Sequence, residues 1–197
     1  MKKLSQAELI KRISVPQLKK QLYLSQLLFF LAALASAGFL FDSANQLIGL
    51  IKWQPFELIY YGIGSGIAVI LTDLLLMRIF PAAAFDDGGL NAKLFKNCSV
   101  PEIFLIALVV AVAEETLFRG VLHTEFGFIF ASSIFALVHF RYLKKPLLLL
   151  SVIFVSFLLG WMFELTNNLL VTITAHFVID FTLGILIAQT TSGEEEQ

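Results

Sequence analysis

A single cysteine, Cys98, stands among 197 residues, so no internal disulfide holds this fold and no oxidising compartment is required. Charge is equally scarce. Asp, Glu, Lys and Arg make up 15% of the sequence, against about 25% in soluble domains. A net charge of −1 supplies no basic surface for nucleic acid, which is excluded as a partner. Apolar residues never alternate with polar ones over successive segments of about ten, and that removes a transmembrane β-barrel. No HExxH is present for the common zinc-protease arrangement. No G-x-G-D occurs either, and Ser65 has Ile63 two positions before it where a rhomboid-like GxSG needs glycine. Internal repeats, which would favour a secondary transporter, are absent too. Disorder is excluded by the 20 phenylalanines, because disordered chains are poor in aromatics.

What is present is apolar mass: 58% hydrophobic residues and a mean hydropathy of +0.84. A helix needs about 20 apolar residues to cross the hydrocarbon core. Candidate spans run over 24–41, 57–80, 102–122, 126–140, 146–164 and 168–188, the fourth being short. The expected fold is all-α, a polytopic transmembrane bundle of about six spanning helices. Residues 1–23 form a cytoplasmic lead, amphipathic or solvated; 24–99 carry two N-terminal helices; 100–190 form the core; 191–197 are an acidic tail. The stretch Leu22–Leu34 followed by Ala35-Ser36-Ala37 has the outline of a cleavable signal peptide, but its long polar lead favours a retained helix.

Basic residues set the orientation. Lys2, Lys3, Lys11, Arg12, Lys19, Lys20, Arg78, Lys93, Lys96, Arg141, Lys144 and Lys145 all fall on one side of this topology, and Lys52 falls opposite. The bias places both termini, with the Glu194–Glu196 tail, in the cytoplasm of a multi-pass protein, expected in a bacterial plasma membrane. Ser99 and Glu102 have the spacing of a capping box opening the third span. Gly62 and Gly66 form a GxxxG pair suited to helix packing. Cys98, in a polar stretch before a helix, reads as an ordinary small side chain.

Ionisable side chains inside spans cost about 2.5–3.5 kcal/mol each on insertion scales and call for a partner or a function. The third span holds Glu114, Glu115 and Arg119. Glu115 and Arg119, four apart, share a helical face and can pair. Glu114 is rotated about 100° from Glu115, which leaves its carboxyl available for proton transfer. His139 ends Phe135-Ala136-Leu137-Val138-His139, and His176 begins His176-Phe177-Val178-Ile179-Asp180, which stacks imidazole and carboxylate on one face. His123 is placed at the interface without a catalytic role, and Asp73 in the second span reads as either a bundle-interior hydrogen-bond partner or a functional group. Amide hydrolysis needs a base for water, donors for the oxyanion and an acid for the leaving amine. Glu114, His139 and His176 supply those types. Two histidines and a carboxylate are also an ordinary zinc shell, so the cofactor is left between none and Zn2+.

Glu114-Glu115-Thr116-Leu117-Phe118-Arg119 resembles the EExxxR motif of the CAAX-protease and bacteriocin-processing family of intramembrane endopeptidases. Phe135 to His139 resembles that family's FxxxH, and His176 to Asp180 its HxxxN or HxxxD. The three stand in order over about 100–190. The resemblance implies cleavage of a membrane-embedded or lipid-anchored polypeptide. It implies Glu114 as the general base assisted by His139, His176 and Asp180 at the oxyanion, and Glu115 with Arg119 positioning Glu114. Asp180 is the acidic variant of its position, and an anion there opposes an oxyanion unless protonated or held by His176. A non-catalytic scaffold or immunity protein and a proton-coupled transporter are the alternatives. The topology puts Glu114 about 18 Å into its span. His139 comes out near the cytoplasmic boundary unless the fourth helix continues through Leu143 or tilts strongly.

Overall fold

The computed structural model describes residues 10, 12–143 and 145–193, and the described residues are helical with no strand. Lys2, Lys3, Lys11, Lys144, the beginning of the lead and the Glu194–Glu196 tail lie outside them. Eight helices matter to the site. They are α1 (Val15–Leu40), α2 (Ala44–Ile48), α3 (Pro55–Ile79), α4 (Leu90–Phe95), α5 (Val100–Glu115), α6 (Phe128–Val138), α7 (Pro146–Thr166) and α8 (Leu169–Gly193). α1, α3, α7 and α8 are each long and apolar enough to cross a membrane. α5 continues as a π-helical stretch over Thr116–His123, and with the shorter α6 it completes the six apolar segments.

α1 starts earlier than hydropathy suggests. Ser14 caps it, accepting from the Gln17 amide while the Gln17 side chain accepts from Ser14 N at 3.0 Å. This reciprocal cap makes residues 15–23 the opening turns of α1. Leu18 is buried there against Leu94, Phe95, Ile103 and Ile106. The capping box expected at Ser99 is only half made. Ser99 is the N-cap of α5 but makes no side-chain bond. The Glu102 carboxylate keeps its half of the box, accepting from the Ser99 backbone, and also takes Lys19 Nζ at 2.5 Å, tying α5 to α1.

The polar groups of the spans are turned inward among apolar packing, and apolar side chains cover the outside. Leu28, Leu71, Leu150 and Phe154 are each more than half exposed, whereas Glu115 and Arg119 are fully buried. α8 is the central element, packed against α5, α3, α7 and α4. Its contact with α3 runs through the GxxxG pair. A Cβ on Gly62 would lie 3.0 Å from Thr174 Cβ, and one on Gly66 would lie 2.9 Å from Val178 Cγ1. The two backbones approach closely only because neither position has a side chain.

Asn168 anchors the start of α8. It is fully buried, donates to Lys52 O at 2.9 Å and to Glu57 at 3.0 Å, and accepts from Leu170 N at 3.1 Å. Those bonds fix the height of α8, and with it the height of His176 and Asp180.

Candidate active site

Glu114 and Glu115 close the regular part of α5, and adjacent helical positions diverge by about 100°. Glu115 turns to α8, where its Oε1 meets His176 Nδ1 at 2.9 Å. Its other oxygen faces Arg119 Nε at 3.4 Å. Glu114 turns to α1, where Gln26 Nε2 donates to its Oε1 at 3.0 Å. Neighbours in sequence thus serve opposite sides of the bundle.

Arg119 lies in the π-helical stretch with several partners of different kinds. Besides Glu115, its Nη2 donates to Ser156 O at 2.9 Å, and its guanidinium carbon lies 4.6 Å from the centre of the Phe135 ring. Ser156 is fixed in turn, donating from Oγ to Ser132 O at 2.9 Å. The cation is shared among α5, α6 and α7, which is how a buried guanidinium is tolerated in a bundle interior.

Phe135 is the platform between the motifs. Its ring stacks on His139 at 5.0 Å and meets His176 edge-on at 6.1 Å. His139 Nδ1 lies 2.8 Å from Phe135 O. A carbonyl only accepts, so Nδ1 donates and Nε2 keeps its lone pair when the ring is neutral. α6 does not continue through Leu143; it ends at Val138 and the chain enters a 3-10 turn over Phe140–Tyr142. A helix of 11 residues covers about 16 Å, so its C-terminal histidine is set down within the bundle.

His176 has a carboxylate at each nitrogen: Glu115 at Nδ1, and Asp180 Oδ2 at 3.4 Å from Nε2. Glu114, His139, His176 and Asp180 line one cavity of about 430 Å3, together with Gln26, Asn91, Arg141 and Tyr142. Glu115 and Arg119 do not line it. Four of the seven motif residues can touch a ligand, and Glu115, Arg119 and Phe135 stand behind them.

Asp73 lines a groove between α3 and α7, not the cavity. His123 pairs with the half-exposed Glu164 at 2.8 Å, also outside the cavity. Cys98 donates to Leu94 O at 3.2 Å and is absent from the cavity wall. Gln26, Ser132 and Ser156 were not picked out by motif reasoning. Their one signal is polarity within apolar runs.

Zinc fits poorly. Among the described residues no three His, Cys, Asp or Glu side chains are disposed to hold one ion, because both nitrogens of His176 face carboxylates of the protein. The arrangement is suited to proton handling: a carboxylate and an imidazole on one side of a cavity, and a held imidazole on the other.

Comparison with known proteins identifies a family. The family model described as Rce1-like, type II CAAX prenyl endopeptidase, matches residues 96–182, a stretch that contains all seven motif residues. The chain is 46% identical over 157 residues to the uncharacterized protein YpbD of Bacillus subtilis (strain 168), an alignment covering 80% of this chain and 83% of that protein. No solved structure matches. With its three motifs gathered around one cavity in a membrane-type bundle, the chain belongs to the Rce1-like, type II CAAX prenyl endopeptidase family.

Proposed function

We propose that this protein is an intramembrane endopeptidase that hydrolyses a peptide bond of a membrane-embedded or lipid-anchored polypeptide with water activated by Glu114. The observation that carries this reading is the shared cavity, with Glu114 and His139 on α5 and the end of α6, and His176 and Asp180 on α8.

In this mechanism Glu114 takes a proton from water as the water oxygen bonds to the scissile carbonyl carbon. The carbonyl π pair moves onto oxygen. His176 donates to that oxyanion from Nε2, leaving the looser contact with Asp180. When the C–N bond breaks, the proton held by Glu114 passes to the departing amine. His139 assists through its free Nε2. Glu115 and Arg119 act as positioning residues, and the 2.9 Å contact of Glu115 with Nδ1 keeps His176 facing the cavity. Asp180 orients His176 and does not itself face the oxyanion. The protein works in a bacterial plasma membrane with both termini in the cytoplasm.

The test uses protein purified in detergent, a farnesylated peptide with a Cys-aliphatic-aliphatic-X end, and a library of membrane-segment peptides. Wild type cleaves, whereas Glu114→Gln and His176→Ala lose about 10²–10⁴ in rate, Glu114→Gln while keeping the wild-type melting profile. A chelator leaves cleavage unchanged. Variants that cleave as well as wild type refute the site. A biological function that survives Glu114→Gln favours the scaffold reading.

A further inference from the structure

Gln26 is out of place by the logic of its own helix. α1 buries only Leu18, Gln26 and Ala33, while Leu24, Leu27 and Leu28 around it are each more than half exposed. An amide in an apolar span, turned inward at 6% exposure, calls for partners. One half of it has a partner: Nε2 donates to Glu114 Oε1 at 3.0 Å. The other half has none. Gln26 Oε1 is buried without a hydrogen-bond partner, on a residue that lines the cavity beside Glu114, His139 and His176.

Amide assignment follows from chemistry, since an ionised carboxylate only accepts and must face the NH2 group. The orphan oxygen therefore lies one amide width from the point where Glu114 is held. Oε1 is closed off in this structure; a small rotation of the amide would bring it to the cavity, where one water can donate one proton to Glu114 and the other to Gln26 Oε1. With both protons so engaged, its lone pair is left for a carbonyl carbon.

We infer that Gln26 is a positioning residue of the hydrolytic site, holding the Glu114 carboxylate through Nε2 and orienting the attacking water through its unpartnered Oε1. The inference rests on the endopeptidase reading for its water and stands on geometry for its link to Glu114. Gln26 transfers no proton. Water gives one proton to Glu114, and the bond formed is between water oxygen and the carbonyl carbon. Placement of this kind acts on turnover more than on substrate binding, because a misoriented nucleophile costs rate after the peptide is bound.

The test uses the full chain in detergent with the farnesylated peptide as probe and the variants Gln26→Leu and Gln26→Glu. Gln26→Leu keeps the volume and removes both hydrogen-bonding groups. Its kcat falls about 10- to 100-fold with KM within about twofold. Gln26→Glu sets a second carboxyl beside Glu114, among His176, His139, Asp180 and Arg119. Its activity recovers as pH falls until the two carboxyls share one proton, since a protonated carboxyl donates as the amide does, and is lost again when Glu114 is protonated too; a purely structural role would show no such profile. A second measurement needs no turnover: the infrared carboxyl band of Glu114, identified by its loss in Glu114→Gln, shifts in Gln26→Leu. Wild-type kcat in Gln26→Leu, or a stationary band, overturns the inference. If wild type cleaves no probe, the endopeptidase reading is what fails. The band then decides the Gln26–Glu114 link, a shift supporting it and a stationary band ending it.

Discussion

Glu115 and His176, 61 positions apart in the chain, meet at 2.9 Å in the middle of the bundle. The contact joins α5 to α8. Because the second oxygen of the same carboxylate faces Arg119 at 3.4 Å, one side chain coordinates three motifs: Arg119 directly, His176 directly, and Phe135 through the guanidinium that covers it. The ion pair lies behind the cavity and serves it without entering it.

Removing Glu115 is therefore expected to act on the fold before the chemistry. Glu115→Ala leaves Arg119 fully buried without its counter-charge, a change that costs about 3–5 kcal/mol in protein interiors. Thermal unfolding in detergent should show a large drop. A double-mutant cycle with Arg119→Met should recover part of it, because the stranded charge is then gone. A melting point unchanged in Glu115→Ala would mean that the guanidinium finds its support elsewhere.

The other histidine–carboxylate pair supplies the contrast. Glu164 is half exposed, so its contact with His123 is screened, and Glu164→Gln should change stability by no more than about 1 kcal/mol. Cleavage of the farnesylated peptide should be unaffected. A marked loss of rate would extend the site to the far end of α5.

Gly66 offers a mechanical test of α8. A side chain there meets Val178 at 2.9 Å and the Ala175 carbonyl at 3.2 Å, and Ala175 precedes His176. Gly66→Val should destabilise by about 1–3 kcal/mol through overpacking and lower cleavage by displacing His176 and Asp180. Gly38→Ala is the control: a Cβ at that position has nothing within 4 Å, so both melting and cleavage should hold.

Cys98 reports topology and pH together. Burial pushes its thiol above the ordinary range, with Lys19 opposing. Thiolate is the reactive form, so labelling by a membrane-impermeant maleimide should be slow at neutral pH and accelerate as pH rises past the ordinary thiol range. In vesicles of known sidedness the label should enter only from the cytoplasmic face. Labelling from the opposite face would invert the topology.

Much of this protein is legible without coordinates, for a definable reason. Apolar runs long enough to cross a bilayer, and charges placed within them, are one-dimensional properties; local composition sets the cost of insertion. Helix geometry likewise sends Glu114 and Glu115 to different faces from their adjacency alone, and Gly62 and Gly66 reveal a packing face by their spacing. The family resemblance, too, lies in short motifs that are contiguous in the chain.

Only the tertiary structure decides the rest. The capping box at Ser99 is only half made, and its Glu102 carboxylate also holds Lys19, 83 positions away, a distant cation that a local rule cannot foresee. His139 reaches the cavity because α6 stops at Val138, a termination that hydropathy does not record. Gln26 lies 88 positions from Glu114 in a helix otherwise turned largely to lipid. Whether a lone amide faces outward or inward depends on how α1 is rotated against α5. That rotation is settled by packing between helices, not by the residues of either helix alone.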